Sequence, residues 1–110
     1  MQARKLDRSE WQAYFDRVSK QIGGRRVEIE VASLDIGDQI GVEWVPLKGV
    51  TYDPRDAQLE VFTDALDHMI RNPREIYVEE TAEGLTTIEA RDDRDRTQII
   101  RLKAPLLLSA

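Results

Sequence analysis

The sequence predicts an α+β domain in which an N-terminal amphipathic helix packs on a curved, mainly antiparallel sheet of five or six strands. Three observations carry this expectation. An apolar stripe of helical period runs over residues 11–22, and period-two alternation recurs between residues 26 and 103. The chain has 110 residues, 41% of them hydrophobic and 34% charged, which is the size and composition of one domain around one core. Helix-then-strands order with a long, bent second strand is also the order of a partly closed small barrel of the Sm or SH3 type.

The helix is expected over residues 7–22. Asp7 is placed to cap it, Glu10 three residues later to complete a capping box, and Leu6 with Trp11 to form a hydrophobic staple. Trp11, Tyr14, Phe15, Val18 and Ile22 then fall at spacings of three, four, seven and eleven, on one face that must be buried. Gly23-Gly24 supplies the stop.

The sheet is expected over 26–103. Val27, Ile29 and Val31 alternate with charged neighbours, and after the loop "LDIGDQ" the alternation resumes with Ile40, Val42 and Trp44 pointing inward. Pro46 and Gly49 bend or interrupt that strand. Asp53-Pro54 opens a turn, and Leu59 and Val61 face inward on the returning strand. Asp64 can cap a short helical insert near 64–71, where Leu66, Met69 and Ile70 hold helical spacing until Pro73 ends it. Ile76 and Val78 mark a further strand, and residues 85–91 and 97–103 a hairpin around "DDRDR". An apolar tail closes the chain over 104–110, where Leu106, Leu107 and Leu108 need either a groove on their own domain or a neighbouring subunit.

At "KLDRSEWQAYFDRVSK", "VEIEVASLDIGDQ" and "LDHMIRNPREIYVEE" the chain resembles DUF5335, a family of short bacterial proteins known as a domain of unknown function, and the resemblance covers nearly the whole chain. It implies a free-standing one-domain bacterial protein and brings no catalytic motif, cofactor or substrate.

The residue inventory narrows the chemistry. Cysteine is absent and His68 is the single histidine, so thiol chemistry and a zinc site of His and Cys ligands are excluded. Asp67 neighbours His68, but adjacent residues on a helix point about 100° apart, a poor geometry for a general base and its orienting acid. No serine sits in a glycine-flanked elbow. In "DDRDR" the arginines separate the carboxylates, so a solvated hairpin tip is expected there rather than a calcium loop. Gly23-Gly24 follows a helix and precedes a strand, the reverse of a phosphate loop. No catalytic, cofactor or metal residue is assigned, and no cofactor is expected.

Net charge is −5, with acids and bases interspersed as on a solvated surface. That balance argues against nucleic acid, as does the small number of exposed aromatics, Tyr52 and Tyr77. No stretch of the sequence reads as a leader or membrane span, so a cytoplasmic protein is expected. The segment "HMIRNPREIYV" stands out: Arg71 and Arg74 flank a proline-fixed corner with His68 one helical turn before Arg71, a set able to hold a carboxylate or phosphate unless the arginines pair with Glu75 or Glu79. The leading expectation is a non-enzymatic binding or regulatory module that self-associates through Leu106, Leu107 and Leu108 or binds another protein or a small anion. The alternative is a small anion-binding protein or enzyme built on His68, Arg71 and Arg74, and a third, less favoured reading is an Sm-like nucleic-acid binder.

Overall fold

The computed structural model describes residues 2–35 and 37–108. It replaces the expected α+β fold of five or six strands with a mostly β fold: one eight-stranded, wholly antiparallel sheet carrying one short helix. In chain order the elements are β1 (Gln2–Lys5), a 3-10 turn (Arg8–Glu10), α1 (Trp11–Lys20), β2 (Arg26–Ser33), β3 (Gly37–Asp53), β4 (Gln58–Thr63), β5 (Asp67–Arg71), β6 (Glu75–Thr81), β7 (Gly84–Arg91) and β8 (Thr97–Leu106). The strand order is β1-β6-β7-β8-β2-β3-β4-β5.

Two strands escape the sequence pattern. The first is β1, four mostly polar residues with no alternation to read, paired along β6 from Gln2 opposite Glu80 to Lys5 opposite Tyr77. The second is β5, which stands where a helical insert was expected. Thr63 explains the difference. Its hydroxyl accepts from the N–H groups of Ala65 and Leu66 at 3.2 and 3.0 Å and donates to the Leu66 carbonyl at 2.6 Å, closing a tight turn. Asp64 pairs with Lys48 at 2.9 Å instead of capping a helix. The chain therefore reverses, and β5 pairs with β4, Val61 opposite His68 and Leu59 opposite Ile70.

The long strand β3 joins the two parts of the sheet, pairing with β2 from Gly37 to Pro46 and with β4 from Leu47 onward. Three register shifts lie along it. Ile40 pairs with Glu30 and Val42 with Ile29, which leaves Gly41 over; Val45 pairs with Val27, which sets Glu43 and Trp44 together against Glu28; and Lys48 is left over between Leu47 and Gly49. Each bulge adds a residue, bends the strand and increases its twist. The additions also overturn the simple alternation: Val42 stays buried, whereas Ile40 is 51% exposed and Trp44 is half-buried, on the outer face beside Glu43.

The sheet curls. β8 and β5 are four places apart in strand order, which in a flat sheet would separate them by about 19 Å at ~4.8 Å per strand. Yet His68 on β5 meets Gln98 on β8 side chain to side chain. The core lies inside the curl, and α1 covers it. Trp11, Tyr14, Phe15 and Val18 turn inward; Trp11 meets Tyr52 of β3 edge to face at 5.1 Å, and the Ser19 hydroxyl donates to the Val50 carbonyl at 2.5 Å while accepting its N–H at 2.9 Å. The entry to the helix is tied by Glu10, whose carboxylate accepts from the Asp7 N–H at 3.2 Å, and by the Trp11 indole, which donates to the Leu6 carbonyl at 3.3 Å.

The expected apolar tail is also revised. Residues 104–106 are the end of β8, and Leu106 is buried in the chain's own core, while Ser109 and Ala110 lie outside the described residues. Gly84 makes room for this: its φ is +125°, and a Cβ there would stand 2.4 Å from the Leu106 carbonyl carbon. Arg25 adds a strap, donating to the Pro105 carbonyl at 3.0 Å.

Candidate functional site

The turn between β7 and β8 is organised by one buried carboxylate. Asp92 is 5% exposed. Its Oδ1 accepts from the backbone N–H groups of Arg94 and Arg96 at 2.9 and 3.0 Å, and its Oδ2 accepts from Gln98 Nε2 at 2.9 Å. Burial alone would raise the Asp92 pKa, but the Arg96 N–H, the Gln98 amide and the Arg94 N–H together outweigh it and hold the carboxyl below its ordinary value. The loop "DDRDR" is thus a built turn, folded around its first aspartate, with its arginines turned outward.

Gln98 extends the network across the curl. It is 5% exposed, at an inward position of β8 shared with Ile100 and Leu102. Because its amide nitrogen serves the Asp92 carboxylate, its Oε1 is the atom that meets His68 Nε2, at 2.5 Å. That makes His68 Nε2 the donor and fixes its tautomer. The result is a continuous chain from His68 on β5 through Gln98 to Asp92 and the arginine turn. Asn72 adds a second tie, donating from Nδ2 to Asp93 Oδ2 at 3.0 Å.

Against this network lies an open groove of about 450 Å³, lined by Arg71, Arg94, Arg96 and Asn72 and also by Asp92, Asp93 and Gln98. Arg96 reaches Asp92 at 3.9 Å, a long contact; among the described residues neither Arg71 nor Arg94 has an acidic partner. The two aspartates of the groove are already engaged, Asp93 by Asn72 and Asp92 by the turn N–H groups and Gln98, so the guanidinium forks of Arg71 and Arg94 suit an added carboxylate or phosphate.

The structure does not bring the expected trio together. Spacing three places His68 and Arg71 on one face of a helix, but on a strand an odd spacing sends them to opposite faces. His68 points into the curl, and Arg71 points out to the groove. Arg74 lies beyond the bend, pairing with Asp95 at 3.6 Å and donating to the Asp93 carbonyl at 3.1 Å, beside a separate dip of about 200 Å³. Arg94, Arg96, Gln98 and Asp92 were missed as site residues. A signal for two of them was present: Gln98 is a polar residue in an inward, otherwise apolar alternation, and Asp92 opens a turn. Of the tail leucines, Leu106 is buried, Leu108 packs against the core, and Leu107 is 66% exposed.

Among the described residues no helix is long and apolar enough to cross a membrane. No solved structure matches the chain. A protein of Aquifex aeolicus (strain VF5), described as an uncharacterized protein, is 40% identical over 109 residues, covering 98% of each chain. The family model described as "Family of unknown function (DUF5335)" matches residues 2–110. On both counts, the chain belongs to the DUF5335 family.

Proposed function

We propose that this protein is a non-enzymatic binding module whose recognition site is the groove of Arg71, Arg94 and Arg96, and that the group it takes is a carboxylate or phosphate. The observation that carries this reading is the pair of guanidiniums without acidic partners, one from β5 and one from the β7–β8 turn, facing one groove in a chain of net charge −5. The link from part-buried His68 through buried Gln98 to Asp92 supports it as well. A hydrogen-bonded polar chain at the edge of a β core adds little net stability over apolar packing, but it fixes the direction of what it holds, here the arginine turn. Hydrolysis is not favoured, because His68 Nε2 is engaged by Gln98 and, among the described residues, no hydroxyl nucleophile is bonded to the imidazole.

Isothermal titration calorimetry with pyrophosphate and with citrate tests the reading. Saturable binding that weakens as salt rises, and is lost in the Arg71→Gln/Arg94→Gln double variant, is the expected result; binding unchanged in that variant would remove the groove from consideration. Self-association is a second reading, favoured by the exposure of Leu107. With Leu106 and Leu108 engaged in the chain's own core, a tail contact would rest on Leu107, and light scattering of the native chain against Leu107→Gln decides it.

A further inference from the structure

The outer face of the β2–β3 bulge carries a separate arrangement. Trp44 sits there with φ +55°, a backbone region that a bulky residue occupies only at a cost. Glycine or asparagine would take that conformation with less strain. The bulge sets Glu43 and Trp44 together against Glu28, and this is what sends the indole outward. Two cations accompany it. Arg26 Nη1 donates to the Trp44 carbonyl at 3.1 Å, leaving its other N–H groups available, and Lys103 Nζ stands 6.0 Å from the ring centroid, at the outer limit of a cation–π contact. Among the described residues neither Arg26 nor Lys103 has a carboxylate partner. Glu28, next along β2, is held by Arg101 at 3.0 Å, so Glu43 is the carboxylate left beside them.

We infer that Trp44, Arg26 and Lys103 form a binding site, distinct from the arginine groove, for a small anion that carries a planar ring. The ring stacks on the accessible part of the half-buried indole, and the two cations take the anionic group. The strain is consistent with this role: neither the core nor the sheet ladder requires an indole at a position that favours glycine.

Fluorescence tests it, because Trp11 is buried whereas Trp44 is only half-buried and so the more open to quenching. Titration with adenosine monophosphate and with benzoate is expected to quench Trp44 saturably with at least one of them, while adenosine and inorganic phosphate, each supplying half of the recognition, bind at least tenfold more weakly. Arg26→Gln/Lys103→Gln should weaken the binding at least tenfold. Lys103→Gln alone should weaken it measurably, and because that side chain is exposed and reaches the Trp44 ring only at 6.0 Å, its fold is expected to be unchanged by circular dichroism. No saturable quenching by either probe, or equal binding by both charge variants, would overturn the proposal. Trp44→Gly supplies a readout without ligand: a melting temperature equal to or above that of the native chain is expected, whereas a clear fall would mean that the ring is there for the fold.

Discussion

The meander β6–β7–β8 and the long strand β3 are built from the same kinds of residue, yet the meander confines its two register shifts to one end, at Glu79–Glu80 and Leu85–Thr87, whereas those of β3 are spread along the strand. From Glu75 opposite Arg91 to Glu79 opposite Thr87, and from Thr87 opposite Arg101 to Arg91 opposite Thr97, the meander holds its register, so Ile76, Val78, Ile88, Ala90 and Ile100 all reach the core. β3 shifts register three times, and Ile40 and Trp44 go to the surface. Period two is a property of an unbroken ladder, and each bulge resets its phase. Apolar residues displaced in this way stop serving the core, and Trp44 is one of them.

The two tryptophans give the largest contrast. Trp11, 1% exposed on α1, should cost roughly 3–5 kcal/mol when replaced by alanine. Trp44→Ala should cost about 1 kcal/mol, since a half-buried ring outside the core is lost and a strained φ is only partly relieved. Chemical denaturation of both variants checks this, and equal losses would break the comparison.

Much of the fold was legible where structure is local. The stripe of α1 and both arms of the β7–β8 hairpin follow from spacing alone, because their contacts are set by neighbours in sequence, while the expected Asp7–Glu10 capping box opens the 3-10 turn that precedes α1 and the helix itself starts only at Trp11. β1 was hidden because an edge strand needs no apolar alternation. β5 was misread because Leu66, Met69 and Ile70 satisfy helical spacing over too short a run to exclude a strand, and the deciding group was the Thr63 hydroxyl. That error reached the candidate site, since it placed His68 and Arg71 on one face. The groove itself joins β5 to a turn twenty residues later, a juxtaposition made by the curl and visible in no local pattern.

Next in size is Gly84→Ala. The added methyl would meet the backbone of Leu106 and Leu107 at 2.4 and 2.5 Å, where no side chain can move aside, at a φ of +125°. A loss of roughly 2–4 kcal/mol is expected from strain and overpacking, read as a lowered denaturation midpoint together with release of the β8 end in amide exchange. A near-neutral result would show that the end of β8 is not docked as described.

Asp92→Asn should be smaller at neutral pH, roughly 1–3 kcal/mol, because one of three accepted hydrogen bonds must be re-formed by turning the Gln98 amide. Its pH signature is more specific. The native carboxyl titrates below its ordinary value, so its stabilisation is complete above the unfolded pKa, near 4, and drains away as pH falls through the lower folded value. The variant should therefore lose less stability than the native protein on acidification below about pH 4. Parallel acid limbs for the two proteins would mean that the network does not depend on the charge.

Smallest is Ile40→Ala on the bulged strand, within about 0.5 kcal/mol of native, against roughly 2–4 kcal/mol for Ile88→Ala in the meander.

The measurement that bears most directly on the proposed site is the NMR response of the arginine Nε–Hε signals and the His68 ring during a pyrophosphate titration. If the groove is the site, Arg71 and Arg94 move together and saturate together, while Arg74, held by Asp95 and the Asp93 carbonyl, and His68, held by Gln98, move far less. Movement of Arg74 and His68 with Arg71, leaving Arg94 still, would contradict the account and return the site to the corner expected from the sequence.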